Sequence, residues 1–232
     1  MNWNKITLFK FQQIDEINSR DVSDLDKLLF TTCVVFDLTE FQLDNRPLKD
    51  ANKLIGKVKA IFESEFTPLP EKKIGRFKIN YDPARLTFGQ YIELSFFLQS
   101  KPIQKAHYLF SSIASPDADK HRERADYFLT QPISKIIGSL SFFIEKFKEF
   151  NNEYKSLFGL DKELGGKEAQ SDQFNKRYGW IYAASQVAEY ERITLDEAFA
   201  LPIRRAFNDL AFLKAKSKYD AEQYGSEKLK RN

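Results

Sequence analysis

The chain has 232 residues, 42% hydrophobic, 30% charged and 15% aromatic, with 22 Phe against two Trp and one Met. That apolar fraction can bury a core in one large domain or two small ones, so wholesale disorder is excluded, and 9 Gly with 8 Pro exclude collagen-like and low-complexity classes. A net charge of +3 demands no nucleic-acid partner, and a mean hydropathy of −0.49 argues against an integral membrane protein.

Leu8, Phe9, Phe11, Gln12, Ile14 and Ile17 fit an opening helix with one apolar face. A second helix is expected near Ser23, where Ser23 and Asp26 have N-cap and N3 spacing. The run Cys33–Phe36 suits a strand or a buried helical turn, and periodicity does not decide between them. Cys33 is the one cysteine, so no intramolecular disulfide exists, and its apolar setting predicts a buried, inert thiol. After Pro47, Ala51, Leu54, Ile55, Val58, Ile61 and Phe62 mark a helix that ends before Thr67-Pro68-Leu69-Pro70.

Residues 74–80 alternate, with Ile74, Phe77 and Ile79 against Lys78 and Asn80, and predict a strand. Thr87-Phe88-Gly89-Gln90 reads as a capping box that opens a helix carrying Tyr91, Leu94, Ser95 and Leu98 on one side. Another helix is expected over about Ile103–Ile113, then a polar, charged segment from Ser115 to Asp126. Pro132 starts the strongest periodicity: Ile133, Ile136, Ile137, Leu140, Ile144, Phe147 and Phe150.

Gly159–Asp172 contains Gly165-Gly166 among polar residues and reads as a linker or flexible loop. Beyond it Trp180, Ala183, Ala184, Val187 and Ala188 mark a helix, Thr194–Glu197 a second capping box, and Pro202 the start of a helix bearing Ile203, Phe207, Leu210 and Leu213. The charged tail from Lys214 is expected to project or fray, and no internal repeat is read. The fold class is therefore mainly α, with a minor β element near residues 73–81. The expected organisation is a main helical domain over 1–152, a linker over 153–170 and a helical module over 171–232.

No phosphate-cradling glycine loop, Walker motif, His-Glu-x-x-His or Cys-x-x-Cys is present. His107 reads as a satisfied helix residue, and acidic pairs such as Asp15-Glu16 and Asp196-Glu197 suit caps and solvated faces. The chain is accordingly read as non-enzymatic, with no catalytic, metal or cofactor-binding residues and no cofactor. Lys120-His121-Arg122-Glu123-Arg124 and Arg204-Arg205 are short and interleaved with acids, which disfavours nucleic-acid binding. Aromatics spread around their helices point to deep burial or a partner surface, and the candidate partner-binding residues are Phe96, Phe97, Phe142, Phe143, Trp180 and Phe207. Trp180 and Phe207 are expected to dock the C-terminal module either on the main domain, completing its core, or on a partner, as a recruiting arm.

Two segments carry a resemblance. Ile79-Asn80-Tyr81 followed by Arg85-Leu86-Thr87-Phe88-Gly89-Gln90-Tyr91-Ile92 resembles a strand–turn–helix segment of small proteins of tailed bacteriophages. Arg177-Tyr178-Gly179-Trp180, Glu191-Arg192-Ile193-Thr194 and Phe207–Lys214 resemble a C-terminal segment in proteins of phages of Bacteroidetes-type hosts. Together they look like a phage tail-assembly chaperone or a related tail morphogenesis protein. The resemblance implies a protein that is not an enzyme, keeps the apolar tape-measure protein soluble and recruits tail-tube subunits. It also implies work in the host cytoplasm, or presence in the virion, with homo-oligomers compatible with the role. The alternatives are a structural tail or baseplate component of the virion and, third, a nucleic-acid-binding or regulatory protein. The N-terminus, Met1-Asn2-Trp3-Asn4-Lys5, has no signal-peptide pattern, and no window approaches 18 apolar residues, so no membrane segment is expected.

Overall fold

The structure, a computed structural model, describes residues 2–99, 101–114, 120–158 and 168–230, and their side chains except those of 156, 158, 168–176 and 224–230. The fold is mainly α-helical. In chain order it comprises α1 (Leu8–Asn18), α2 (Asp24–Phe36), α3 (Glu40–Asp44), α4 (Leu48–Phe62), β1 (Lys73–Ile74), β2 (Phe77–Lys78) and α5 (Phe88–Gln99). There follow α6 (Pro102–Ala114), α7 (His121–Leu129), α8 (Ile133–Glu153), α9 (Lys155–Phe158), α10 (Glu168–Glu191), α11 (Leu195–Ala200) and α12 (Ile203–Lys230). Among the described residues, no helix is long and apolar enough to cross a membrane.

Local chemistry sets many of the helix starts. The Ser23 hydroxyl accepts from the Asp26 N–H at 3.1 Å. At Thr87 the capping box closes both ways: the Thr87 N–H donates to Gln90 Oε1 at 3.0 Å and the Gln90 N–H to Thr87 Oγ1 at 3.2 Å. Thr194 and Glu197 close another box, and Thr39 with Gln42 a further one. Each such cap stabilises its helix by about 1 kcal/mol.

Several expectations are corrected or sharpened. Cys33–Phe36 is the last turn of α2, which Asp37 ends in the left-handed region at φ 53°. The strand expected over 74–80 is a two-strand antiparallel hairpin, with Lys73 opposite Lys78 and Ile74 opposite Phe77. Gly75, at φ 57°, makes the reversal possible, and alternation across so tight a turn reads like one strand. The polar segment after Ser115 becomes helical by His121, whereas residues 115–119 lie outside the described residues. Of the linker region, 159–167 lie outside the described residues and 168–172 already belong to α10. Rather than fraying, the charged tail continues α12 to Lys230, with every side chain from Lys214 to Tyr219 exposed.

Two compact units divide the chain, and the division is not linear: one holds residues 1–81 and 97–144, the other 82–96 and 145–232. In the first, α1 packs on α2, α2 on α4 and α6 on α7. Its core includes Ile14, Ile17, Val58, Ile61, Phe110, Phe128, Ile136 and Phe143, all at most 5% exposed. Gly138 lets the Leu69 backbone cross α8, since a Cβ there would sit 2.5 Å from the Leu69 carbonyl oxygen. The second unit gathers Phe88, Tyr91, Phe147, Phe150 and Phe207 into an aromatic core. Residues 82–96 therefore group with the C-terminal residues, because Phe88 and Tyr91 supply rings to that core.

One local device occurs in each unit. In the first, a 3-10 turn over Trp3–Lys5 leads through Ile6 to Thr7, the N-cap of α1. Thr7 forms an antiparallel bridge with Pro132, flanked by hydrogen bonds of 2.8 Å from the Leu8 N–H to the Gln131 carbonyl and from the Ile133 N–H to the Ile6 carbonyl. In the second, a 3-10 turn over Pro83–Arg85 leads through Leu86 to Thr87, which bridges Pro202. The Phe88 N–H donates to the Leu201 carbonyl at 2.8 Å and the Ile203 N–H to the Leu86 carbonyl at 2.9 Å. Ile6, Leu8 and Ile133 are completely buried, as are Phe88 and Ile203, with Leu86 at 2%. Proline fits both positions because a bridging pair flanked by its neighbours' hydrogen bonds asks no N–H of the proline.

Candidate functional site

The six predicted contact residues differ in exposure. Phe207 is completely buried, its ring centroid 4.9 Å from Tyr91, 5.0 Å from Tyr154, 6.0 Å from Phe150 and 6.1 Å from Phe88. Phe143 is also completely buried, so in this conformation neither ring is presented to a partner. Trp180 is half-buried, edge-on to Tyr91 at 5.7 Å and to Phe88 at 6.1 Å. These contacts place Phe207 in the aromatic core of the second unit and set Trp180 against two of its rings. Phe142 is half-buried, edge-on to Tyr81 at 5.2 Å, and Phe97, half-buried, stacks on Tyr108 at 5.8 Å. Only Phe96 of the six is largely exposed, at 54%.

Two surfaces absent from the sequence reading emerge instead. The first is an open groove of about 290 Å³ between α1, α2 and α4. Ile14, Leu28, Val58 and Phe62 make it apolar, and Asp24, Lys27, Lys59 and Glu63 bring charges of both signs to it. The sequence shows each helix's stripe, but only the packing of α2 on α4 makes Leu28 and Phe62 neighbours. The second is the outer face of α10, where Tyr178, Ile181 and Tyr182 are 42%, 52% and 53% exposed. Their helical spacing is visible in the sequence, but Trp180, Ala184 and Val187 on the opposite face carry the stronger core signal.

The shifted titratable groups each have a local cause. Cys33 is buried, and burial, with Glu40 and Asp44 adding, pushes its thiol up, away from the thiolate a nucleophile needs. Burial, then Lys105, lowers the pKa of His107, whose Nδ1 lies 3.2 Å from Gln12 Nε2. The Tyr91 phenol, pushed up to about 12 by burial, donates to Asn151 Oδ1 at 2.8 Å. Arg205 forms a fork on Glu191, Nε to Oε1 at 2.8 Å and Nη2 to Oε2 at 2.6 Å, which holds the Glu191 carboxyl below its ordinary value. Burial, then the adjacent Glu191, pushes Asp209 the other way. Among the described residues, no three His, Cys, Asp or Glu gather to hold a metal ion.

Part of each basic cluster is internally engaged. Arg124 is 5% exposed with its Nε donating to the Ser111 carbonyl, and the His121 Nε2 lies 2.8 Å from the Ser112 hydroxyl. Arg204 pairs with Glu153 at 3.2 Å while Arg205 holds Glu191. The chain matches no protein-family model, no curated protein and no solved structure.

Proposed function

We propose that the chain is a non-catalytic binding and assembly protein that holds an apolar helical partner. The observation that supports this most is the α1–α2–α4 groove, whose apolar lining and mixed charges suit an amphipathic helix laid along it. With the resemblance to tail-assembly chaperones, the partner class is the tape-measure protein of a phage tail, kept soluble in the host cytoplasm until tail-tube subunits are recruited. The test is co-expression with a phage tape-measure protein that aggregates alone. The expected result is soluble complex with the unaltered chain and its loss with Leu28→Glu, which places a charge in the groove. Retention of the complex by a folded Leu28→Glu protein would move the binding surface elsewhere, and no solubilisation by the unaltered chain would remove the reading.

A further inference from the structure

The outer face of α10 has a feature the groove lacks: it is complementary to itself. Residues 178, 182, 185 and 189 follow one another at intervals of four, three and four, the spacing of a two-helix seam. All four are exposed, whereas Ala184 and Val187, on the other side of the helix, are completely buried. The seam spans about 16 Å at 1.5 Å per residue. Its centre holds a large ring, Tyr182, and a small side chain, Ser185. Its ends carry opposite charge. At the N-terminal end the Arg177 guanidinium lies 5.2 Å over the Tyr178 ring, and at the C-terminal end stands the Glu189 carboxylate.

An antiparallel copy of the same helix satisfies each of these features at once. Aligned so that Tyr178 of one copy faces Glu189 of the other, Tyr182 faces Ser185. Each large side chain then meets a smaller one and each cationic end meets an acidic end, twice over, as a two-fold interface requires. A parallel copy would set Arg177 beside Arg177 and Glu189 beside Glu189. We infer that α10 is the seam of a homodimer in which two copies of this chain pair antiparallel through Tyr178, Tyr182, Ser185 and Glu189. This inference is independent of the groove, which lies in the other unit.

Sedimentation equilibrium of the full chain tests it. The unaltered protein should be a reversible dimer. Tyr182→Glu should raise the dimer dissociation constant roughly tenfold or more, because it sets two like charges near the two-fold axis. Arg177→Glu and Glu189→Arg should each weaken the dimer, and the double reversal should restore it. Within one helix these residues are about 18 Å apart along the axis, so restoration has to cross between copies. Circular dichroism checks that each variant keeps its helicity; should Tyr182→Glu lose it, the charge-reversal set carries the test. A monomer at every concentration, an unchanged dimer in a folded Tyr182→Glu protein, or a double reversal no better than the single ones would overturn the inference.

Discussion

Replacing Phe207 with Ala separates a core role for this ring from a partner-binding one. The side chain is completely buried and its ring meets those of Phe88, Tyr91, Phe150 and Tyr154, with centroids between 4.9 and 6.1 Å. Truncating a buried phenylalanine costs about 3–5 kcal/mol through lost transfer energy and the cavity left behind. Four ring neighbours place this site in the upper half of that range, since each well-oriented aromatic pair adds roughly 0.5–1.5 kcal/mol beyond its buried area. Urea unfolding followed by circular dichroism should show the transition of the second unit moving to lower denaturant with little change in slope. Phe96→Ala, on a side chain 54% exposed, is the control and should stay within about 0.5 kcal/mol of the parent. A loss below about 1 kcal/mol for Phe207→Ala would refute the packing assigned to it.

Tyr91→Phe removes the 2.8 Å hydrogen bond to Asn151 while keeping the ring, and should cost about 1 kcal/mol in the same unfolding assay. Gly138→Ala drives a Cβ to 2.5 Å from the Leu69 carbonyl oxygen and should cost roughly 1–3 kcal/mol, read as a lower melting temperature. The raised carboxyl of Asp209 makes its stability contribution fully present below its unfolded pKa and lost as pH rises through the folded one. Asp209→Asn should therefore melt at least as high as the parent at neutral pH, with the difference closing as pH falls to about 4, whereas Glu191, held low by Arg205, contributes in the opposite sense in both proteins. Deleting residues 171–232 takes Trp180 and Phe207 away from Phe88 and Tyr91, so the truncated chain should aggregate or bind a hydrophobic dye; a stable, monodisperse truncation would return the C-terminal module to the role of a separate arm.

What could be read from the sequence is what local chemistry decides. Thr87 with Gln90 and Thr194 with Glu197 announce helix starts within four residues, because the cap and its reciprocal partner belong to the same turn. Ile133 through Phe150 announce α8 because one long stripe repeats. Decisions that need a second segment were not legible. The alternation over 74–80 contains both arms of a hairpin, and only Gly75 at positive φ distinguishes it from one strand. Phe207 looks like a surplus aromatic until the rings of Phe88, Tyr91 and Phe150 around it are counted as neighbours from distant helices. The groove is less legible still, since Leu28 and Phe62 are brought together by helix packing, and the outer face of α10 was masked by the core signal of Trp180, Ala184 and Val187 on the other side.

The paired junctions show why the linear reading misses the repeat. What recurs is a set of backbone roles: a 3-10 turn, a buried aliphatic residue, a threonine N-cap, a completely buried residue at the first helical position and a distant X-Pro-Ile. Threonine is held in place because its hydroxyl caps the helix while its own backbone faces the proline. Proline is tolerated because the flanking N–H groups carry the hydrogen bonds. Everything around these fixed points is free to change with the local packing. Two residues after the threonine stands Phe9 at one junction, 52% exposed, and Gly89 at the other, where a Cβ would already come within 3.3 Å of the Phe199 carbonyl oxygen. The residue three before the proline changes too, Leu129 at the first junction and Phe199 at the second. The first junction carries Phe9 and Leu129 where the second carries Gly89 and Phe199, while the two hydrogen bonds stay the same. Side-chain comparison along the chain sees only Phe against Gly and Leu against Phe; the equivalence lies in which backbone groups each segment must satisfy.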